Sequence, residues 1–361
     1  MVPTEMRDIV VIGASAGGVE ALRELVHDLP KDFPAALFVV VHIPTDSSSM
    51  LPRILERSGP LPAAHATDGE PIVPGRIYVA PPNHHLLLKR GAVWVIYGPK
   101  ENGHRPAIDP LFRTAARAYR HRVIAVVLSG NLNDGSHGLR IVKAHGGTAV
   151  VQDPEDALYP GMPAAAIEHA EVDHVFPLAA IGDLLTRLVR EPIPEDAPVP
   201  RPDEVESERP GKRAAEGELV NMSLGGAPSV YTCPECHGNL WEIREGTLGR
   251  YRCRVGHSFT EDSLIYEKGE SLEAALWTAL EALEEQASLT QRMGERAREF
   301  GNERRISALE ERVIDLEDRA RLVREVLLNG LSKTLPAETG GEAAAPVRRA
   351  AGYAPPGTAG A

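Results

Sequence analysis

A short apolar segment ending in a glycine-rich turn constrains the fold of this chain more than any other feature. Residues 9–12 are four branched apolar residues, which are typical of a strand buried on both faces of a parallel sheet. The turn that follows has Gly13 and Gly17 on either side of Ser15, and a helical pattern begins at Val19. Ser15 is therefore predicted at the tip of a strand–turn–helix unit, beside the unpaired amides of a helix N-terminus.

The spacing of Gly13, Ser15 and Gly17 fits a nucleophile elbow, in which small neighbours let the chain reverse sharply and lift a serine hydroxyl above the sheet. A glycine-rich turn between a strand and a helix is also typical of a phosphate cradle or of plain packing. Phosphate or dinucleotide binding is the weaker interpretation, because the spacing does not match G-x-G-x-x-G and no lysine follows as in a P-loop.

From residue 8 to about 190 the sequence alternates between apolar strands and helical patterns, which predicts an α/β fold with a doubly wound, mainly parallel sheet. The predicted strands are residues 9–13, 36–42, 123–128, 148–152 and 172–176, and the predicted helices are residues 19–29, 109–119, 138–145 and 178–190. Between them, turn signals separate short strands at 77–80, 86–88 and 93–97 and predict a small antiparallel excursion.

Composition divides the chain into five regions. These are an α/β domain (residues 1–192), a proline-rich linker (193–229), a zinc-ribbon-like module with all the cysteines (230–268), a helical hairpin or coiled coil (269–331) and a disordered tail (332–361). Apolar residues alternate at spacings of three and four over 306–327, with a matching stripe over 272–287. We therefore expect an antiparallel hairpin, or a homodimer through residues 303–328.

Charge and composition exclude several classes of protein. The net charge of −12 argues against a general nucleic-acid-binding protein, because such proteins normally have a basic surface. No apolar run approaches the ~20 residues that span a bilayer, and the N-terminus has no signal-peptide pattern, so membrane insertion is not expected. The three cysteines all lie within residues 233–253, which fits a reducing compartment, and we expect a cytoplasmic protein.

Three polar residues follow predicted strands near the points where those strands end. Ser15 follows the first strand, His42 ends the second, and Asp134 lies in the turn after the strand at 123–128. Because the carboxyl ends of parallel strands meet at one edge of a sheet, these side chains can lie together. A serine nucleophile needs a base within hydrogen-bond reach and an acid that holds the base. Taken singly, His42 is also compatible with a capped strand end and Asp134 with an ordinary turn.

Five segments occur in a recognisable order and spacing: residues 11–18 (Val-Ile-Gly-Ala-Ser-Ala-Gly-Gly), 41–44 (Val-His-Ile-Pro), 77–83 (Ile-Tyr-Val-Ala-Pro-Pro-Asn), 105–109 (Arg-Pro-Ala-Ile-Asp) and 128–135. Together they resemble the catalytic domain of the CheB-type chemotaxis protein-glutamate methylesterases, over roughly residues 7–190. The resemblance implies a hydrolase that removes methyl groups from glutamate methyl esters on the signalling helices of chemoreceptors or related signalling proteins and releases methanol. Some members of that family also deamidate receptor glutamines.

Carried over by position, the resemblance implies that Ser15 is the nucleophile, His42 the general base and acid, and Asp134 the carboxylate that orients His42. Amides near Ala16 and Gly17 would hold the oxyanion. This chemistry needs no cofactor, so none is expected for catalysis.

The sequence departs from the family pattern at two places. The family commonly has a methionine three residues before the aspartate, where this chain has Asn131, so that side of the pocket and the substrate preference are expected to differ. Familiar members begin with a phosphorylatable receiver domain, whereas Ser15 lies fifteen residues into this chain, so regulation by aspartyl phosphorylation within the chain is not expected. A degenerate module that binds a signalling partner without turnover therefore stays an alternative.

The cysteines form the second motif. Cys233 and Cys236 make a C-x2-C knuckle, and after sixteen residues Cys253 and His257 make a C-x3-H knuckle. Four protein ligands suit a tetrahedral structural zinc ion without an open position for catalysis, so structural zinc is predicted within residues 233–257. A redox role for Cys233 and Cys236 is the alternative, and the third cysteine and the histidine at knuckle spacing count against it.

Overall fold

The computed structural model describes residues 5–43, 49–193, 226–245, 248–299 and 303–329. It divides into two compact units, Met1–Lys268 and Gly269–Ala361. The predicted tail and most of the predicted linker lie outside the described residues.

A seven-stranded parallel sheet forms the centre of the first unit. Its strands are β1 (Ile9–Ala14), β2 (Ala36–Val41), β3 (Ala63–His65), β4 (Ile77–Val79), β7 (Val123–Val127), β8 (Thr148–Gln152) and β9 (His174–Phe176), in the spatial order β3-β4-β2-β1-β7-β8-β9. The connecting helices are α1 (Gly18–His27), α2 (Leu51–Ser58), α3 (Ile108–Tyr119), α4 (Ser136–Ala144), α5 (Gly161–His169) and α6 (Leu178–Leu188). The predicted doubly wound, mainly parallel sheet is confirmed.

Helices cover both faces of the sheet, and for this reason the sequences of its strands are uninterrupted runs of apolar residues. In β1, Val10 and Ile12 point into a core with α1, α2 and α6, whereas Ile9 and Val11 point into a core with α3, α4 and α5. All four side chains are at most 2% exposed. Burying each one contributes ~1.5–3 kcal/mol to folding, so β1 is anchored from both sides and holds the turn at its carboxyl end in place.

The antiparallel excursion is smaller than predicted. Strand β4 pairs in parallel with β2 and β3 and belongs to the main sheet, so only β5 (His85–Lys89) and β6 (Ala92–Ile96) form an antiparallel hairpin. A strand of three buried residues shows no alternation from which its direction can be derived. The structure also contains α2, β3 and α5, which the sequence patterns did not predict.

The cysteines lie in an antiparallel sheet of four strands, β10 (Ala227–Thr232), β11 (Asn239–Glu245), β12 (Leu248–Cys253) and β13 (Ser258–Thr260). Helix α7 (Glu261–Glu299) begins directly after β13. We call residues 227–268 the cysteine module. Its core consists of few apolar side chains, namely Leu240, Tyr251, Phe259 and Leu264, packed with Cys233 and Cys253.

In the second unit, α7 and α8 (Glu303–Asn329) lie antiparallel, because Arg298 pairs with Glu310 and Arg324 pairs with Glu284. Leu280, Ala287, Leu316 and Ala320, which lie on the stripes predicted from the sequence, are buried. The buried face of α7 continues past the predicted stripe to Thr290 and Ala297, whereas Leu272 at the start of that stripe is exposed. The helical hairpin is therefore confirmed, whereas the homodimer through residues 303–328 stays a prediction. None of the described helices combines the length with the apolar composition that a transmembrane helix requires.

Candidate active site

The three predicted catalytic side chains meet at the carboxyl edge of the parallel sheet. Ser15 follows β1, His42 follows β2, and Asp134 lies in the loop between β7 and α4. Strand β1 pairs with β2 on one side and with β7 on the other, so the three residues come from adjacent strands. The strand order reverses at β1, and such switch points are where open α/β sheets bind their ligands.

The three side chains form a continuous hydrogen-bonded relay. The Oγ atom of Ser15 lies 3.1 Å from Nδ1 of His42, and Nε2 of His42 lies 2.8 Å from Oδ2 of Asp134. Because an ionised carboxylate can only accept hydrogen bonds, Nε2 of His42 carries a proton and donates a hydrogen bond to Asp134. Nδ1 then accepts from the Ser15 hydroxyl, which is the arrangement a general base requires. The His42 and Asp134 side chains are 6% and 2% exposed, so water competes little for these bonds.

Ser129, which follows the neighbouring strand β7, forms hydrogen bonds that fix the turn carrying Ser15. The Ser15 amide donates to the Ser129 carbonyl oxygen at 2.9 Å, and the Ser129 hydroxyl donates to the carbonyl oxygen of Ala16 at 2.8 Å. Gly17 has a φ of +71°, and a Cβ there would lie 2.9 Å from Oγ of Ser129, so glycine is required. The amides of Ala16 and Gly17 lie between Ser15 and the start of α1, and their role as oxyanion donors stays a prediction.

Gly130 also shapes the surroundings of the nucleophile. A Cβ at Gly130 would lie 2.8 Å from Cβ of Ser15 and 2.3 Å from Sδ of Met162, so any larger residue would displace one of them. The amide of Met162 donates to the Gly130 carbonyl oxygen at 2.8 Å, which ties this loop to α5. Asn131 comes next in the chain and is exposed, and its place in the substrate pocket stays a prediction.

The Asp134 carboxylate accepts four hydrogen bonds. Oδ2 accepts from His42 and from the Ile108 amide at 2.7 Å, and Oδ1 accepts from Nδ2 of Asn102 at 3.0 Å and from the Asp109 amide at 3.2 Å. Burial alone would raise the pKa of Asp134, but the hydrogen bond and charge of His42 and the Ile108 amide outweigh it and hold the pKa below its usual value. Asp134 is therefore ionised and fixed on both oxygens.

A second buried carboxyl group, Asp109, lies next to Asp134. Burial, together with the negative charge of Asp134, raises the pKa of Asp109 to about 7. Its Oδ1 accepts from the amides of Gly135 at 3.1 Å and Gly138 at 2.7 Å, and its Oδ2 accepts from Nδ2 of Asn102 at 3.1 Å. The amide group of Asn102 thus bridges the two carboxyl groups. The sequence patterns gave Asn102 no role.

His104 is a further residue that the sequence patterns did not identify, although it directly precedes one of the family-like segments. Its ring stacks on the ring of His42, with 3.6 Å between the centroids and 16° between the planes. Burial, and then the charge of His42, lower the pKa of His104 to about 3, so His104 is neutral near pH 7. It supports one face of the His42 ring without adding a charge.

The four predicted metal ligands lie together in the cysteine module, on the loops at the ends of its strands. The ligand atoms of Cys233, Cys236, Cys253 and His257 are all within 4.8 Å of one another. Nδ1 of His257 lies 3.6 Å from Sγ of Cys233 and 3.5 Å from Sγ of Cys253. A tetrahedral zinc ion with bonds of ~2.0–2.3 Å has ligands ~3.3–3.8 Å apart, so these residues fit a structural metal ion.

Comparison with known proteins agrees with this geometry. The sequence profile of the family described as CheB methylesterase matches residues 10–185. A Leptospira interrogans protein, provisionally named as a protein-glutamate methylesterase/protein-glutamine glutaminase, is 41% identical over 182 residues, which cover 50% of this chain and 94% of that protein. A Thermotoga maritima protein-glutamate methylesterase/protein-glutamine glutaminase is 39% identical over 191 residues, covering 52% of this chain and 56% of that protein.

The crystal structure of the Thermotoga maritima CheB methylesterase catalytic domain is 38% identical, with a TM-score of 0.49, and the match covers 50% of this chain and 98% of that one. The match to the Leptospira protein covers nearly the whole length of that relative at more than 30% identity. Because of that match, this chain belongs to the CheB methylesterase family.

Proposed function

We propose that this chain is a cytoplasmic serine hydrolase that removes methyl esters from glutamate side chains of chemoreceptors or related signalling proteins and releases methanol. The observation that carries the proposal is the relay from Ser15 through His42 to Asp134, with distances of 3.1 and 2.8 Å, in a chain of the CheB methylesterase family. Family membership supports the reaction, and the relay supports the residues that perform it.

In the proposed reaction, Oγ of Ser15 attacks the ester carbonyl carbon while Nδ1 of His42 takes the hydroxyl proton. The carbonyl oxygen becomes negatively charged, and in this proposal the amides of Ala16 and Gly17 donate to it. His42 then protonates the methoxide, which leaves as methanol, and the glutamyl group stays on Ser15. A water molecule, deprotonated by His42, then attacks the acyl carbon. The bond to Oγ breaks, His42 returns the proton to Oγ of Ser15, the glutamate carboxylate is released, and Asp134 stabilises the imidazolium at each stage.

The same relay can hydrolyse a glutamine side chain. Ammonia then leaves in place of methanol, and the acyl-enzyme is identical, so no additional residue is required. The names of the Leptospira and Thermotoga relatives include protein-glutamine glutaminase. We propose deamidation as a second reaction of the same site.

The test is methanol release from methylated cytoplasmic fragments of chemoreceptors. We expect Ser15→Ala and His42→Ala to lower kcat by at least about 10³-fold. Two matched controls keep the relay intact: Ser58→Ala removes a hydroxyl that only donates to its own helix α2, and His27→Ala removes a largely exposed histidine on α1. Both should retain turnover within about twofold.

If the unmodified chain releases no more methanol than Ser15→Ala on several receptors, the esterase proposal fails for those substrates. The alternative would then be a module that binds a receptor without turnover. Retained binding of receptor fragments by the unmodified chain would support that alternative.

We also propose that the helical unit mediates association. After α7 and α8 have packed, α8 still exposes Ile314, Leu322 and Val326, which are 60%, 61% and 51% exposed. Such residues support a homodimer through residues 303–328 or docking to the helices of a receptor. The test is the mass of the full chain and of Ile314→Glu by sedimentation equilibrium. If the chain is a homodimer through this face, the substitution should convert it to a monomer; a monomeric unmodified chain would contradict the homodimer.

A further inference from the structure

The cysteine module pairs with the loop that leads into the active site. Residue Glu101 forms a parallel β-bridge with Ser258 at the start of β13. The Asn102 amide donates to the Ser258 carbonyl oxygen at 2.7 Å, and the Ser258 amide donates to the Lys100 carbonyl oxygen at 3.3 Å. Nζ of Lys100 donates to Oε1 of Glu235 at 2.6 Å, between the two ligands of the first knuckle. This segment therefore pairs with the edge strand β13 of the module through one β-bridge.

A group of buried charges reinforces this contact. Arg250, on β12, is 5% exposed, and its Nη2 donates to Oε2 of Glu101 at 2.9 Å. Its Nε donates to the Ser258 hydroxyl at 2.7 Å. Arg113, on α3, donates to the other oxygen of Glu101 at 2.9 Å. One carboxylate is thus held by an arginine from each side, and hydrogen bonds to charged groups are among the stronger ones in proteins.

The Asn102 side chain connects the cysteine module to the triad carboxylate. Its Oδ1 accepts from the Thr260 amide at 3.1 Å and from the Ser263 hydroxyl at 3.0 Å, and its Nδ2 donates to Asp134 at 3.0 Å and to Asp109 at 3.1 Å. The side-chain oxygen therefore accepts hydrogen bonds from the module, and the side-chain nitrogen donates hydrogen bonds to the active site. Asn102 is 5% exposed and has a φ of +51°, a conformation that asparagine tolerates.

A second asparagine makes a parallel connection. Asn133 precedes Asp134 and is 2% exposed. The Thr260 hydroxyl donates to Oδ1 of Asn133 at 2.7 Å, and Nδ2 of Asn133 donates to Oδ2 of Asp262 at 2.8 Å. The junction between β13 and α7 thus contacts two segments next to the triad carboxylate: the loop of Asp134 itself, through Asn133, and the segment between β6 and α3, through Asn102.

We propose that Asn102 is a positioning residue for Asp134 and that the cysteine module sets the position of Asn102, so that metal loading of the Cys–His cluster controls turnover at Ser15. His257, one of the four candidate ligands, directly precedes Ser258. A metal ion that orders His257 also orders the start of β13, and through it Asn102. This inference rests on the proposed esterase function.

The consequence for kinetics follows from the contacts. Asn102 reaches the reacting atoms only through Asp134 and His42, so its loss lowers kcat and leaves KM nearly unchanged. Asn102→Gly keeps the positive φ and removes the amide group. Losing a hydrogen bond to a charged group is worth about ten- to a hundredfold, and we expect this decrease in kcat.

A second variant tests the module without touching the active site. Thr260→Val with Ser263→Ala removes the hydroxyls that bond to Asn133 and Asn102, and we expect kcat to fall about three- to tenfold. The matched control makes the same two changes on β10, Thr232→Val with Ser229→Ala, where the hydroxyls bond only within the module. This control should retain kcat within about twofold.

A readout without substrate separates this inference from the proposed function. The ¹⁵N shifts of the His42 ring in the full chain, assigned with His42→Ala, report which nitrogen carries the proton. We expect the Nε2–H form in the zinc-loaded chain, a mixture in Asn102→Gly, and a mixture after zinc is removed by a chelator under reducing conditions. Added zinc should restore the Nε2–H form.

The inference is overturned if the His42 shifts do not respond to verified zinc removal, or if Asn102→Gly keeps its kcat. It is also overturned if the module variant and its control on β10 lose kcat equally, because the module would then act through general stability. If no methyl ester is hydrolysed by any variant, the esterase proposal fails while the tautomer experiment still decides the coupling.

Discussion

Replacing Asp134 by asparagine gives the sharpest test of the relay. The amide has the shape of the carboxylate but only one accepting oxygen. In the structure two donors approach each oxygen of Asp134: His42 and the Ile108 amide at Oδ2, and Asn102 and the Asp109 amide at Oδ1. In either orientation of the new amide, its NH2 group therefore faces two other donors.

The magnitude follows from these contacts. A hydrogen bond to a charged group is worth about 1.5–3 kcal/mol, so losing two of them lowers the free energy of unfolding by about 3–6 kcal/mol before any relaxation. If the NH2 group faces His42, Nε2 must accept, the proton moves to Nδ1, and the ring can no longer take the proton of Ser15. If the oxygen faces His42, the tautomer is kept, but the negative charge that stabilises the imidazolium is lost. A wrong tautomer of this kind costs about 10⁴-fold in kcat in a serine protease triad.

The assay is methanol release at saturating substrate, together with urea unfolding. Asp134→Asn should lower kcat by about 10³–10⁴-fold and lower the urea midpoint. The matched control is Asp32→Asn, because Asp32 is 81% exposed and pairs only weakly with Arg190. A kcat within tenfold of the unmodified chain would refute the argument that Asp134 fixes the tautomer of His42.

Three further predictions concern two residues next to the relay and one ligand of the metal cluster. His104→Ala removes the ring stacked on His42, and we expect kcat to fall about tenfold while the urea midpoint changes little; an unchanged kcat would mean that the stacking does not orient His42. Because the pKa of Asp109 is raised to about 7, the folded chain keeps a proton that the unfolded chain releases above about pH 4. The contribution of Asp109 to the free energy of unfolding should therefore decrease from about pH 4 to about pH 7 and level off above, and equal pH slopes for the unmodified chain and Asp109→Asn would contradict this. Cys253→Ser should abolish stoichiometric zinc binding and make residues 227–268 sensitive to proteases, and undiminished zinc content would disprove the predicted ligand set.

The placement of Ser15, His42 and Asp134 could be predicted because it depends on local patterns. Apolar runs identify β1, β2 and β7 as buried parallel strands, and the carboxyl ends of such strands share one edge of the sheet. A residue directly after a strand can then be assigned to that edge without knowledge of any side-chain contact. The metal cluster was predictable for a similar reason, since two knuckles of fixed spacing bring their own ligands close together.

Asn102 and His104 could not be predicted because their positions depend on contacts between distant segments. They lie between β6 and α3, in a stretch without strand or helix periodicity. Asn102 meets Asp134 across 32 positions of sequence and Thr260 across 158. Nothing in the sequence around either residue gives the register of those contacts. Strand β4 illustrates the same limit, since only its pairing with β2 and β3 shows its direction.

Stability of the α/β domain and precision of its active site depend on different residues. The domain is held by apolar side chains on both faces of β1 and its neighbours, and none of these belongs to the cysteine module. The module instead contributes polar contacts to Asn102 and Asn133, and water can satisfy an exposed amide at little cost. Water does not, however, hold a carboxylate in one orientation. The contacts of the module can therefore be lost with little effect on folding and a large effect on the geometry of Asp134, which is the property that makes the module suitable for controlling the site.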